Sequence, residues 1–255
     1  MPIKILLTND DGISAEGLNA LYKQLKSLGD VLIVAPDGQR SAISHAITLL
    51  NPIRCKKLYK NRKLFGYALS GYPADCVKFA KNVLFENALP DLVVSGINLG
   101  PNEGCSVHYS GTVAGAREGA LLGVPSIAVS LNAFSDPDYS YAAKFTRKLA
   151  QKVLADANFP SGSFLNVNVP NCPASEIQGV KFTRQGLIPI HGSFKKYQDP
   201  HEIDYYWMTG EAPKSRRDEG DDIFALNQNY ITVTPIQTDS TDYELLNRMQ
   251  NWTIK

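Results

Sequence analysis

The chain has 255 residues, 44% hydrophobic and 20% charged, with a formal net charge of +1. That length allows one large domain with a sizeable core, or a domain carrying an extension. A balance so close to neutral excludes the basic footprint of a nucleic-acid-duplex binder or of a protein drawn to an acidic membrane, so a phosphorylated ligand has to be attracted by a local site. No apolar run is long enough to span a bilayer, and Met1-Pro2-Ile3-Lys4 leads into a strand without the pattern of a secretory signal. Cys55, Cys76, Cys105 and Cys172 form no C-x-x-C pair. Idle thiols in a cytoplasmic protein are expected, not disulfides or zinc.

In chain order, the apolar run 3–7 reads as a buried strand that ends in the turn Asn9-Asp10-Asp11-Gly12. Leu18, Leu21, Tyr22, Leu25 and Leu28 recur at helical spacing over 15–28, with Gly29 placed to cap the end. A second buried strand covers 31–35 and stops at Pro36-Asp37-Gly38. Strand, helix, strand leaves room only for a parallel crossover. The segment 39–45 reads as a loop, 46–50 and 64–69 as strands, and 56–63 as an exposed basic turn between them. A helix begins near Ser70, with Pro73 in its first turn, and runs to about residue 84.

A strand at 92–95 is followed by a long, glycine-punctuated loop, 96–112, and then by a small-residue helix at 113–122. A strand at 126–131, a helix at 141–154, a strand at 165–169 and an edge strand at 180–183 complete the alternation. This pattern predicts an α/β fold: a Rossmann-like, doubly wound, mostly parallel sheet. After Gln185 the helical periodicity weakens and aromatic and charged residues mix. A strand near 230–234 and a short helix near 243–249 close the chain. The expected organisation is therefore a core over 1–185 and an extension over 186–255 of the kind that packs on a neighbouring subunit.

Three polar clusters lie at predicted carboxyl ends of strands: the Asp10-Asp11 turn, the loop carrying Ser41, and Asn98 with its glycine loop. Ligands bind at that rim in open α/β sheets. Two readings fit the Asp10-Asp11 turn taken alone. It is a solvated turn in which one Asp caps the next helix, or a pair of carboxylates held together by a divalent cation. Asp10, Asp11, Ser41 and Asn98 offer only oxygen donors, which suit Mg²⁺, Mn²⁺ or Ca²⁺ and argue against zinc or copper. Ser110-Gly111-Thr112 precedes a helix, where free N–H groups and hydroxyls make an anion site, although Ser110 or Thr112 could simply cap that helix. Asn9, Asn102 and His108 border these clusters and are candidates to orient the ligands. His45, His191 and His201 are expected to be isolated.

No G-x-G-x-x-G follows the first strand, and no P-loop or Gly-x-Ser-x-Gly elbow occurs. The blocks Ile5-Leu6-Leu7-Thr8-Asn9-Asp10-Asp11-Gly12, Arg40-Ser41, Pro73-Ala74-Asp75-Cys76-Val77 and Asp91-Leu92-Val93-Val94-Ser95-Gly96-Ile97-Asn98-Leu99-Gly100-Pro101-Asn102, with Tyr109-Ser110-Gly111-Thr112-Val113-Ala114 and Ile231-Thr232-Val233-Thr234-Pro235, resemble the SurE family of survival proteins. The resemblance runs in register over nearly the whole chain. It implies a Rossmann-like core, one divalent cation held by Asp10, Asp11, Ser41 and Asn98, and hydrolysis of nucleoside 5'-monophosphates. It also implies homodimers or homotetramers built by exchange of C-terminal elements. The chain departs from the family where Ala42 and Ser44 replace usual glycines, where Tyr72 replaces an expected Thr, and at Ser106 and Gly115.

The implied chemistry is attack by a metal-activated water, with Asp10 or Asp11 taking its proton and Asn98, Ser110, Gly111 and Thr112 holding the phosphate. Additional 3'-nucleotidase or exopolyphosphatase activity fits the same site. A nucleotide-binding sensor without turnover is the alternative from another class.

Overall fold

Strand β1 (Lys4–Thr8) feeds two cores at once. Ile5 and Leu7 pack into the cluster that holds Leu18, Leu21 and Leu25, while Leu6 packs with Val34, Leu69 and Val77 on the other face. All are fully or almost fully buried, the pattern of a strand covered by helices on both sides. The computed structural model describes residues 2–189, 192–210 and 218–254.

After β1 come α1 (Glu16–Leu25), β2 (Asp30–Pro36), β3 (Cys55–Lys60), β4 (Lys63–Leu69) and α2 (Pro73–Phe79), which runs on as a π-helical turn at Ala80–Leu84. Next are β5 (Leu92–Leu99), a 3₁₀ turn at Gly104–His108, α3 (Gly111–Leu121), β6 (Ser126–Asn132), α4 (Tyr139–Ala155) and β7 (Ser163–Pro170). The remainder is β8 (Val180–Phe182), β9 (Gly192–Gln198), β10 (Asp204–Gly210), α5 (Asp222–Asn227), β11 (Ile231–Gln237) and α6 (Tyr243–Met249).

Nine strands form one sheet in the order β3-β4-β2-β1-β5-β6-β7-β11-β8. The six from β4 to β7 are parallel, and β3 and β11 join antiparallel. The chain leaves β1 toward β2 and β4, then returns to β5 on the other side of β1. The crevice beyond the carboxyl ends of β1 and β5 is thus the switch point of a doubly wound sheet. α1 and α4 pack together on one face, and α2 and α3 on the other. Leu18, Leu21 and Leu25 fix α1 to its face, each contributing about 1.5–3 kcal/mol by burial.

Several expectations are corrected. Residues 46–50 form no strand, and Leu49 and Leu50 are 80% and 96% exposed. The basic stretch 56–63 is not a turn but most of the β3–β4 hairpin, reversed at Asn61 and Arg62 with φ of 49° and 63°. Lys56, Lys57 and Lys60 lie on an outer strand, where charge blocks pairing with other chains. Gly29 lies beyond the end of α1, which is capped at Lys26; a Cβ at Gly29 would sit 2.2 Å from the Ile3 carbonyl oxygen, so the glycine serves close packing. The stretch after Gln185 is of two kinds. β9 and β10 form a separate two-stranded hairpin, whereas α5 is buried and β11 pairs with β7 and β8 in the main sheet.

Gly17 sits in the first turn of α1 against β5. A Cβ there would lie 2.1 Å from the Ile97 carbonyl oxygen and 3.1 Å from the Tyr139 ring. Gly17→Ala is expected to cost about 1–3 kcal/mol through overpacking, read as a lower urea midpoint at unchanged m value.

Candidate metal and phosphate site

Asn9 builds the turn at the end of β1. Its side-chain amide donates to the Gly12 carbonyl at 3.0 Å, and its Oδ1 accepts the Gly12 N–H at 3.2 Å. Gly12 takes φ 98°, the left-handed region that favours glycine. The turn presents two adjacent carboxylates. Asp10 is only 4% exposed and accepts a hydrogen bond from the Thr112 hydroxyl on Oδ1. Burial pushes its carboxyl up to about 6; Asp11 adds repulsion, and the Thr112 bond pulls the other way. Asp11 is half-buried, accepts the Leu99 N–H on Oδ2 at 3.2 Å, and is also raised by burial. Among the described residues, no Lys, Arg or His pairs with either carboxylate.

Two further loops are fastened to this turn. The Arg40 N–H donates to the Asp10 carbonyl at 2.7 Å, and Ser44 donates its N–H to the Tyr109 carbonyl at 2.8 Å and its hydroxyl to the His108 carbonyl at 2.7 Å. The loop between them carries Ser41, whose Oγ accepts from Gln39 Nε2 at 3.0 Å. Ala42 and Ser44, the two departures from glycine, take φ of 54° and 55°. A side chain in that region costs roughly 1–2 kcal/mol, so the loop keeps its shape through the bonds to Tyr109 and His108.

The start of α3 abuts Asp10. Ser110 is its N-cap and accepts the Val113 N–H at 3.1 Å. A Cβ at Gly111 would lie 2.8 Å from the Asp10 Cβ and 3.1 Å from the Arg40 carbonyl oxygen. Only glycine permits that approach. Thr112 is fully buried, and both its hydroxyl and its backbone N–H serve Asp10, which leaves the Gly111 N–H as the helix-start donor an anion could use. Asn98 Nδ2 donates to the Gly100 carbonyl at 2.7 Å, which leaves Oδ1 as a free acceptor. Asn102 is a structural pin. Its N–H reaches Asn168 Oδ1 and its Nδ2 reaches Ser130 Oγ, each at 2.7 Å, and its carbonyl accepts from Asn166 Nδ2 at 2.7 Å.

Asp10, Ser41, Asn98, Asn102 and Ser110 line one cavity of about 250 Å³. Asp11 stands beside it through Leu99, which lines it. His108 does not line it; its Nε2 meets the Gln185 amide at 3.1 Å, facing a different cavity. The donors fit a hard divalent cation. They are all oxygen, two are carboxylates raised by burial, Asp10 buried and Asp11 half-buried, without a protein cation, and Asn98 Oδ1 has no competing bond. Among the described residues no group of three or more His, Cys, Asp or Glu side chains converges.

Sequence reasoning missed Glu118, which is 3% exposed and accepts from His45 Nε2 at 2.9 Å and Lys78 Nζ at 2.6 Å. His45 is therefore not isolated: it ties the Ser41 loop to α3. A lone Glu on a small-residue helix gave no local signal for this pairing. His191 lies outside the described residues.

These features define a Rossmann-like α/β protein with an acidic, oxygen-lined ligand site at its switch point. The family described as Survival protein SurE matches residues 5–190. The chain is 45% identical over 252 residues to 5'-nucleotidase SurE of Syntrophobacter fumaroxidans, covering 99% of this chain and 100% of that one. It is 47% identical over 249 residues to 5'-nucleotidase SurE of Syntrophus aciditrophicus, covering 97% and 93%. The crystal structure of the SurE protein from Aquifex aeolicus is similar with a TM-score of 0.84 at 40% identity, covering 97% of this chain and 98% of that one. The chain belongs to the SurE family.

The Asp10 carboxyl predicts how stability depends on pH without metal. Its folded value, about 6, lies above the ordinary 3.8. The fold therefore binds the proton more tightly, and stability falls as pH rises between about 4 and 6. Asp10→Asn removes that penalty. In EDTA at pH 7.5 the variant is expected to be more stable than the parent by about 1–3 kcal/mol, closing to nothing below pH 4. Urea unfolding at the two pH values checks this.

Proposed function

We propose that the chain is a metal-dependent 5'-nucleotidase that hydrolyses nucleoside 5'-monophosphates to nucleoside and phosphate. The observation that carries this reading is the meeting of Asp10, Ser41, Asn98 and Ser110 on one small cavity at the switch point, with the start of α3 at its wall. The nearly full-length likeness to proteins described as 5'-nucleotidases supports it. 3'-Nucleotides and polyphosphate are further candidate substrates.

Asp10, Asp11, Ser41 and Asn98 would hold one divalent cation, Mg²⁺ or Mn²⁺, with Ca²⁺ able to take the same place. When bound, such a cation neutralises phosphate charge and acidifies water. The Gly111 N–H and the Ser110 hydroxyl at the start of α3 hold equatorial phosphate oxygens, where charge sits in a loose transition state. Asp10 or Asp11, whichever would hold the cation less tightly, takes the proton of the attacking water. Thr112 holds Asp10 in place through its hydroxyl. Asn9 and Asn102 set the two turns, and His108 acts through the backbone carbonyl that anchors Ser44.

We assign the catalytic core to 1–185 together with α5 and β11, and the parts exchanged between subunits to the β9–β10 hairpin and α6 of the 186–255 extension, giving a homodimer or homotetramer. The β9–β10 hairpin exposes Phe194, Tyr206, Trp207 and Met208, and α6 buries none of its residues. Apolar faces of this extent without cover from their own chain mark an interface. α5 and β11 stay with their own core. The four free thiols suit the cytoplasm, and among the described residues no helix is long and apolar enough to cross a membrane.

With Mg²⁺ or Mn²⁺ the protein is expected to release phosphate from AMP, and EDTA to stop it. Asn98→Ala is expected to lower kcat/KM by at least about a hundredfold, and Thr112→Val, which frees Asp10, by about 10–100-fold. Binding of AMP with no phosphate release would replace the enzyme by a sensor. Replacing Trp207 and Met208 together by Lys is expected to lower the mass seen in sedimentation equilibrium; an unchanged mass would remove the hairpin from the interface.

A further inference from the structure

The cavity that gathers the acidic donors measures about 250 Å³. That is below the roughly 300–1,000 Å³ typical of a whole small-molecule site, so the alcohol half of a phosphomonoester needs space elsewhere. A second cavity of about 470 Å³ adjoins it, and Ser41 lines both. Its wall is formed by Gln39, Arg40, Thr48, Asn51, Ser70 and Tyr72 among others, and no carboxylate lines it.

Resting on the phosphomonoesterase reading above, we propose that this second cavity is the nucleoside subsite, with the base stacked on Tyr72 and its edge met by Asn51 and Gln39. Amide side chains present a donor and an acceptor side by side, the pattern that pairs with a base edge. An aromatic face supplies stacking to any base. A lipid or alkyl leaving group would call for an apolar wall, and here only Ile43 and Pro52 are apolar in character.

The cavity is built in advance. Asp75, 4% exposed, accepts the Thr48 N–H at 3.0 Å, the Thr48 hydroxyl at 2.7 Å and the Tyr72 N–H at 2.9 Å. One buried carboxylate therefore sets two walls that lie 24 residues apart in sequence. A Cβ at Gly71 would fall 2.6 Å from Asp75 Oδ2, so the chain closes on Asp75 only through a glycine. Arg40 is held flat by Asp37 at 2.9 Å and by the Ser70 carbonyl at 3.4 Å. The Ser70 hydroxyl oxygen accepts the Arg54 N–H at 2.9 Å. Thr48, Ser70 and Arg40 are thus committed to the walls, while Asn51 is exposed and lines the cavity. Gln39 links the two cavities through its bond to Ser41.

The test uses the full chain and two probes. Adenosine, which has no phosphate, is titrated calorimetrically without metal into the parent and into Tyr72→Ala, Tyr72→Phe and Asn51→Leu. Hydrolysis of AMP and of glycerol phosphate is measured for the same proteins. The expected result is that adenosine binds the parent, that Tyr72→Ala weakens it roughly tenfold, and that Tyr72→Phe restores it. The ratio of kcat/KM for AMP to that for glycerol phosphate falls by a similar factor in Tyr72→Ala, through KM. Asn51→Leu, at an exposed position, shifts the preference among bases. The proposal is overturned if adenosine does not bind the parent, or if Tyr72→Ala and Asn51→Leu leave adenosine binding unchanged. Adenosine binding that depends on Tyr72, with no phosphate released from any ester, keeps the subsite and removes the nucleotidase reading instead.

Discussion

The structure depends on one contact: the buried Asp10 carboxylate pressed against the start of α3. Its Oδ1 takes the Thr112 hydroxyl, its backbone carbonyl takes the Arg40 N–H, and only the missing side chain of Gly111 lets the helix come so close. A burial penalty that raises the carboxyl to about 6 is tolerated because the same contact joins three strand ends at one point. Without it, the turn after β1, the loop after β2 and the start of α3 would have no common reference. Packing of the sheet alone positions their backbones; this contact positions their oxygens.

The core was legible because its physics is local. Ile5, Leu6 and Leu7 form a continuous apolar run, which a strand buried on both faces requires. α1 shows its face at every third or fourth residue. The chain order of strands and helices then leaves few topologies. The candidate site residues were legible as polar interruptions at the ends of β1 and β5, where Asp10, Asp11 and Asn98 lie, and in the polar loop after β2 that carries Ser41. What those residues bond to was not legible. That Thr112 serves Asp10, that Asn102 fastens the long loop to β6 and β7, and that Glu118 holds His45 are contacts between residues 28 to 102 positions apart.

The failures have a shared cause as well. At 46–50 a strand-like composition lies on the surface, and at 56–63 a turn-like composition lies in an outer strand. An outer strand gains its pairing from one neighbour and keeps one side wet, so charge does not argue against it. The same holds for β9 and β10, which pair with each other although β9 is exposed along its whole length. Composition reports burial, and where burial within the chain is slight it reports little about backbone pairing.

The site divides into a fixed floor and a fastened flap. The floor is the β1 turn, set by Asn9 and by Asp10's bonds. The flap is the Ser41 loop, which holds left-handed conformations at Ala42 and Ser44 that no glycine relieves. Such a loop does not keep its shape by preference. It is fastened at both ends of the strained stretch: Arg40 to Asp10 on one side, Ser44 to His108 and Tyr109 on the other, with His45 on Glu118 beyond. Every one of these anchors except Asp10 lies on α3 or in the turn that leads into it. The Ser41 oxygen is therefore positioned by the same element whose first turn holds Asp10 through Thr112. The Ser41 loop and the Asp10 carboxylate thus both take their position from α3, which couples the two halves of the candidate site without any moving part.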